Sequence, residues 1–366
     1  MKQVTDEKQL SRLVLRGYKS IAECDIDLGA INILIGANGA GKSNLISLFK
    51  MIPNMLSENL QIYVGRQGGP DALLHFGRKK TQFLEIELYF GYNGYLCTLE
   101  PTQDNRLIFT KEAFWWNLGG GREQPLGAGH FESRAKEGTK TQIDRYVVPA
   151  IESWRLYHFH DTSDSALVKQ IHNINDYTYL RQDGSNLAAF LNFLRHSNPN
   201  RYQQIVKTIQ LVAPFFGDFF LRPTSENKEK IKLEWTQKGE DIPLSASQLS
   251  DGTLRFICLA TVLLQPDEIK PATIIIDEPE LGLHPYAIVV LASLIKAASK
   301  TNQVFISTQS VELLDEFDVE DIIVADMKDN KSHLQRLDNE KLKPWLEQYS
   351  LGEMWKKNIL GGRPAQ

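Results

Sequence analysis

The chain has 366 residues, 42% of them apolar, with 41 Lys and Arg against 45 Asp and Glu for a formal net charge of −4. That length suits one large domain with an insertion, or two domains, and the apolar content is enough for a core. The acidic balance argues against a surface coated in positive charge for nucleic acid while leaving room for a local basic groove. Three scattered cysteines, Cys24, Cys97 and Cys258, exclude a zinc knuckle or a disulfide framework. No run approaches the ~20 apolar residues of a membrane span. Met1–Leu10 carries Asp6 and Glu7 rather than a signal peptide's apolar run, so the chain reads as cytoplasmic.

In chain order, Ser11–Gly17 and Ile21–Leu28 read as two strands able to pair, and Ile31–Ile35 as a short apolar strand running into Gly36. A helix follows through Leu45, Leu48, Phe49 and Ile52, with Pro53 predicted to end it. Ser57–Lys80 is glycine-rich loop with some helix. Phe83–Phe90, Gly94–Leu99 and Arg106–Thr110 read as successive antiparallel strands separated by turn sequences. Ala113–Gly138 is polar, glycine-rich and expected to be mobile, with Trp115 and Trp116 expected in the core. Ser153–Phe159 is a further strand. Ala166–Phe216 is predicted helical in pieces, broken near Asp183-Gly184 and Asn198-Pro199, without the heptads of a coiled coil. Ile231–Trp235 is a strand. From there strands at Thr273–Ile276, Gln303–Ser307 and Asp321–Met327 alternate with helices at Leu254–Leu264, Tyr286–Ser299 and Val311–Phe317, the order of a parallel sheet covered by helices. The tail, with Leu337, Leu342, Trp345, Leu346, Tyr349, Leu351 and Trp355, is expected to pack on the body.

Gly36-Ala37-Asn38-Gly39-Ala40-Gly41-Lys42-Ser43 fits G-x-x-x-x-G-K-[ST] and stands between a strand and an amphipathic helix. Main-chain N–H groups of such a loop converge on anionic oxygens, and the helix N-terminus adds positive potential there. Lys42 is expected to reach the β- and γ-phosphates of ATP and Ser43 to present a hydroxyl to Mg²⁺, with Asn38, Gly39, Ala40, Gly41 and Asn44 around them. Ala272–Ile276 is an apolar run that ends in Asp277-Glu278, and two carboxylates there are costly unless they have chemical work. Asp277 is assigned to Mg²⁺ and Glu278 to the attacking water, a division suited to phosphoryl transfer.

With these motifs in this order, the chain resembles ABC-type ATPase heads of the RecF-like and structural-maintenance-of-chromosomes-like group, and more narrowly the stand-alone bacterial AAA family ATPases. The likeness covers roughly Leu13–Met327 with a diverse middle. Gly36–Ser43 resembles Walker A and Ile274–Glu278 Walker B. Leu249-Ser250-Asp251-Gly252-Thr253 resembles the signature that meets the γ-phosphate of a partner subunit, and Pro279–Pro285 the D-loop at a dimer interface. Read without the family, Ser250 is placed to cap a helix and Gly252 to allow close backbone approach. Leu15–Ile21 resembles the family's opening strand and turn, which implies nucleotide contacts from Lys19 and Ser20.

The resemblance implies a P-loop NTPase of α/β class with an ABC-type head, an antiparallel N-terminal sheet and an inserted mostly helical subdomain. The expected divisions are 11–160, 161–225, 226–327 and a packed tail, 328–366. It departs from the family where Gln309, not histidine, follows Ile306-Ser307-Thr308; glutamine can donate a hydrogen bond to the γ-phosphate or the water but carries no charge. Gln67 is the candidate for the lid glutamine at the metal. His158 and His160 flank Phe159 before Asp161 without zinc spacing and read as a turn or interface element.

The implied function is ATP binding and hydrolysis that drives a head-to-head homodimer. That dimer, alone or in a higher assembly, would gate DNA or a separate effector protein such as a nuclease, in phage defence or DNA repair. The alternative is a slow or non-hydrolysing ATP-bound scaffold. The insertion and the opening segment argue against a transporter subunit. Arg78-Lys79-Lys80, Lys228 and Lys230 read as solvated faces rather than a nucleic-acid track.

Overall fold

The computed structural model describes residues 8–117, 120–137 and 143–362. Its chain forms two compact units: Met1–Trp154 with Ala272–Ile275 and Asn302–Gln366, and Arg155–Pro271 with Ile276–Thr301. The class is the expected one, α/β with an antiparallel N-terminal sheet and a mostly helical insertion.

In the first unit, β1 (Arg12–Tyr18), β2 (Ile21–Asp27), β4 (Leu84–Phe90), β5 (Asn93–Pro101), β6 (Leu107–Trp116) and β7 (Arg122–Gly127) form one sheet in the order β2-β1-β4-β5-β6-β7, antiparallel throughout; β3 (Ile31–Ile35) belongs to a second. Period-two burial follows the pleat: Leu84, Ile86, Leu88 and Phe90 of β4 are fully buried and the residues between them are not. β6 runs farther than predicted, into the stretch expected to be mobile, and carries Trp115 and Trp116, which are half-buried rather than in the core. Residues 118, 119 and 138 of that stretch lie outside the described residues, as do residues 1–7 and 363–366.

The second sheet orders Lys331–Arg336, Ile322–Lys328, β3, Gln303–Ser307 and then Thr273–Asp277, the last contributing its residues up to Ile275 to this unit. β3 is parallel to both of its neighbours, so the chain leaves β3 and Gln303–Ser307 at the same edge. The helices of its N-terminal part are α1 (Lys42–Leu56), α2 (Leu60–Arg66) and α3 (Asp144–Glu152). Phe49 of α1 meets Phe305 of the parallel sheet and Trp154, each at 5.1 Å between ring centroids, and Trp154 meets Phe90 of the antiparallel sheet. Such aromatic pairs add about 0.5–1.5 kcal/mol each beyond their area.

Pro53 does not end α1. The helix continues to Leu56, and Ser57 N–H donates to Pro53 O, because Ile52, Met55 and Leu56 are fully buried and their packing outweighs the missing N–H of one proline. The tail packs unevenly: Leu351, Met354 and Trp355 of the helix Leu351–Lys356 are buried, whereas Asn339–Leu346 buries none of its residues.

In the second unit, the helices Leu187–Ser197, Pro199–Val212, Asp251–Leu264 and Pro285–Ala298 accompany a three-stranded sheet of Phe216–Phe219, Glu234–Gln237 and Pro243–Ser245. Trp235 stacks on Phe216 at 5.8 Å. The helical run predicted from Ala166 starts in earnest only at Leu187. Before it, side chains bind the backbone in place of a helix: Asn186 Nδ2 donates to Asp176 O and Tyr179 O at 2.8 Å, and Asn173 Oδ1 accepts from Asn175 N. The strand predicted at Ile231–Trp235 is divided into Lys230–Ile231 and Glu234–Gln237.

Candidate functional site

In the first unit the loop after β3 enters α1 through Gly41, whose φ is 104°. A Cβ there would lie 2.0 Å from Ser332 Oγ, so only glycine fits. Gly41 at the N-cap has no side chain to occupy the first amides of a 15-residue helix, and the first turn holds no acid. Those amides and the helix dipole suit an anion. Asn38, Gly39 and Ser43 are exposed, and Asn44 is half-buried. Lys42 is 6% exposed. Its Nζ crosses the loop to donate to Gly36 O at 2.6 Å and Ala37 O at 3.1 Å, fixing an ammonium on the Gly36–Ala37 side.

Behind the loop lies a polar knot. Asn44 Nδ2 donates to Ser20 Oγ at 2.6 Å and Ser332 Oγ to the same atom at 2.7 Å, while Ser332 N–H donates to Ser20 O at 2.8 Å. Ser20 thus steadies the start of α1. Lys19, at φ 48°, turns the other way: its Nζ donates to Ser47 Oγ at 2.9 Å, one turn into α1, and burial holds its pKa below the ordinary lysine value. Gln67 ends α2 on the exposed surface, outside this knot. Gln309 follows Gln303–Ser307, whose Ser307 pairs with Leu34, and it faces a 370 Å³ cavity shared with Gly36, Ala37 and Asn38.

In the second unit, Asp277 ends its strand with its side chain 19% exposed, and Glu278 adopts φ 45°, a left-handed conformation rare for a residue with a side chain. His158 Nδ1 lies 3.8 Å from Asp277 Oδ2, and His160 Nε2 is 2.9 Å from Asp277 O. The two histidines expected at a turn therefore flank the end of the Asp277 strand. Ser250 caps the helix Asp251–Leu264, accepting from Thr253 N at 3.2 Å, as its sequence position predicts. Gly252 faces the turn after the Asp277 strand so closely that a Cβ would fall 2.2 Å from Gly282 O.

Arg255, unnoticed in the sequence, ties these pieces together. Its Nη1 donates to Leu281 O at 2.8 Å, Nη2 to His160 O at 2.8 Å and Nε to Phe159 O at 3.1 Å. As the one basic residue in an apolar helix, it was the available signal. Ser332 offered none, since its partners are more than 300 residues away in sequence. Replacing Arg255 with Met is expected to lower unfolding stability by about 1–2 kcal/mol, because three carbonyls lose a charged donor. Arg255→Lys restores only part of it, since one ammonium cannot span all three. Guanidinium-chloride midpoints of the three proteins check this.

The sequence family described as "AAA domain, putative AbiEii toxin, Type IV TA system" matches residues 31–315. Among solved structures, the chain is similar to an SmcHead bound to the C-winged helix domain of ScpA, at a TM-score of 0.60 and 19% identity over 91% of this chain and 99% of that one. It is also similar to the Smc head domain with an extended coiled coil, bound to the C-terminal domain of ScpA, from Pyrococcus furiosus, at 0.57 and 17% over 92% and 98%. At these identities the likeness establishes the fold, that of an ABC-type head. No curated protein matches the sequence.

Proposed function

The chain belongs to this AAA-domain family, and from that premise we propose that it is an ATPase whose ATP-bound form closes into a head-to-head homodimer. The observation that carries the reading is the loop Gly36–Ser43, with its ammonium drawn across it and an uncapped helix start beside it. These groups suit a triphosphate: a helix start with no side-chain cap, one fixed cation and no acid in the first turn.

Residue roles follow the motifs. Lys42 neutralises phosphate charge on the Gly36–Ala37 side, and amides of the loop and first helical turn other than those of Ala40 and Asn44, which donate to Ala37 O and Gly41 O, would hold the anion. Ser43 in the first unit and Asp277 in the second are each candidate ligands of Mg²⁺, with Gln67 as the lid candidate. Bound magnesium would supply charge neutralisation to the phosphate oxygens. Glu278 orients and deprotonates the attacking water, and Gln309 donates a hydrogen bond toward the terminal phosphate. Ser250 and Gly252 of one subunit would complete the site of the other, with the D-loop between them. Arg255 holds signature helix and D-loop as one piece, which suits that role.

Closure on ATP and release after hydrolysis would gate DNA or an effector protein, such as a nuclease, in phage defence or DNA repair. The Smc heads that resemble it were crystallised with a domain of a second protein, which adds weight to a protein partner. The test is the mass of the chain in solution with Mg²⁺, with and without a non-hydrolysable ATP analogue, and again with added DNA. We expect the mass to double with the analogue. A monomer at saturating analogue sinks the dimer reading.

A further inference from the structure

The cavity beside the phosphate loop has a second wall that the motifs do not account for. Its 370 Å³ is lined by Gly36, Ala37 and Asn38, by Gln309 and Val311, and by Trp355, Lys356 and Gly362 from the end of the chain. That end is anchored. Ser350 caps the helix Leu351–Lys356 through a capping box, Gly352 N–H donates to Asp315 Oδ1 at 2.6 Å, and Met354 and Trp355 are buried. Beyond it, Gly362 O accepts from Ala37 N–H at 2.5 Å, so the segment is fastened to the phosphate loop itself.

The chemistry of the lining is one-sided. Its residues are the polar Asn38 and Gln309, the basic Lys356, the apolar Ala37, Val311 and Trp355 and two glycines, with no carboxylate. Glu312, next to Val311, accepts from Ser310 Oγ at 3.0 Å; bonds to its own backbone and to Ser310, and more weakly the nearby charge of Lys356, hold its carboxyl below the ordinary glutamate value. Two residues of the cavity wall, Gly36 and Ala37, are those whose carbonyls accept from Lys42 Nζ, while Lys42 itself does not line the cavity. In a loop of this type the lysine marks the β- and γ-phosphate end.

We propose that Lys356 is a specificity-determining residue that reads the terminal phosphate of the nucleotide, supplying from the C-terminal helix the charge that Gln309 lacks. The inference rests on the ATP-binding reading above and deepens it. Lys356 then distinguishes a triphosphate from a diphosphate.

The experiment measures affinities of the full chain, with Mg²⁺, for a non-hydrolysable ATP analogue, for ADP, and for inorganic phosphate added to the ADP complex. Lys356→Ala is expected to weaken the analogue roughly tenfold, as loss of one charge-assisted contact does, and to leave ADP within about twofold. Phosphate binding to the ADP complex should fall with the analogue, and Lys356→Arg should restore most of both. Because Lys356 is exposed, the fold should survive either change. Equal losses for analogue and ADP would mark a structural role and overturn the proposal, as would no loss at all. A wild-type chain that takes neither nucleotide would overturn both this inference and the reading beneath it.

Discussion

Lys42→Ala is expected to weaken ATP binding by roughly 30- to 1,000-fold and to abolish turnover. The ammonium is almost wholly enclosed and donates to two carbonyls of its own loop, so its position is set before any ligand arrives. A preset charge loses little entropy on binding, and a charge-assisted contact to phosphate is worth about 1.5–3 kcal/mol, more where two phosphates share it. Arginine should not substitute. A guanidinium is wider than the ammonium, and the 6% exposure of Lys42 leaves no room for it. Lys42→Arg therefore separates charge from geometry: loss in both variants places the effect in the shape of the loop. Titration calorimetry with ATP and Mg²⁺ reads the affinity, and the melting temperature of the unliganded variants shows that the fold remains. Wild-type affinity in Lys42→Ala would remove the loop from the nucleotide site.

What the sequence made legible was local. β3, the loop and the start of α1 follow from an apolar pentamer, a glycine pattern and a 3.6-residue repeat, all within 25 residues. Ser250 at its cap was readable for the same reason, since capping is decided over four residues. Long-range partnerships were not. Ser332 reaches Ser20, and Gly362 reaches Ala37, across more than 300 residues, and neither carries a residue type that announces a partner. Pro53 misled because proline propensity is a local quantity, while α1 persists through tertiary burial of Ile52, Met55 and Leu56. The segment before Leu187 misled in the opposite sense. It was read as helical together with the apolar stripe that begins at Leu187, but the side chains of Asn173 and Asn186 bind its backbone instead. Lys19 and Ser20 were grouped as one turn, yet they do different things: serine braces the start of α1, and lysine is spent on Ser47.

Glu278→Gln is the second large effect, a fall in hydrolysis of roughly 10²- to 10⁴-fold with ATP affinity retained. Glutamine has the same shape and can still hydrogen-bond water, but it cannot accept a proton. The backbone adds an independent argument. At φ 45°, Glu278 holds a left-handed conformation that costs a residue with a side chain about 1–2 kcal/mol, and glycine would hold it without that cost. Glu278→Gly should therefore raise the unfolding free energy by about 1 kcal/mol while losing turnover, as strain maintained at a working site predicts. Two measurements, phosphate release and the guanidinium-chloride midpoint, should then move in opposite directions in one variant. In Glu278→Gln the unspent triphosphate should also accumulate dimer in the presence of ATP itself. A scaffold that binds ATP without turning it over gives another pattern: Glu278→Gln then alters neither phosphate release nor the monomer–dimer balance, and the strain at Glu278 loses its chemical reason.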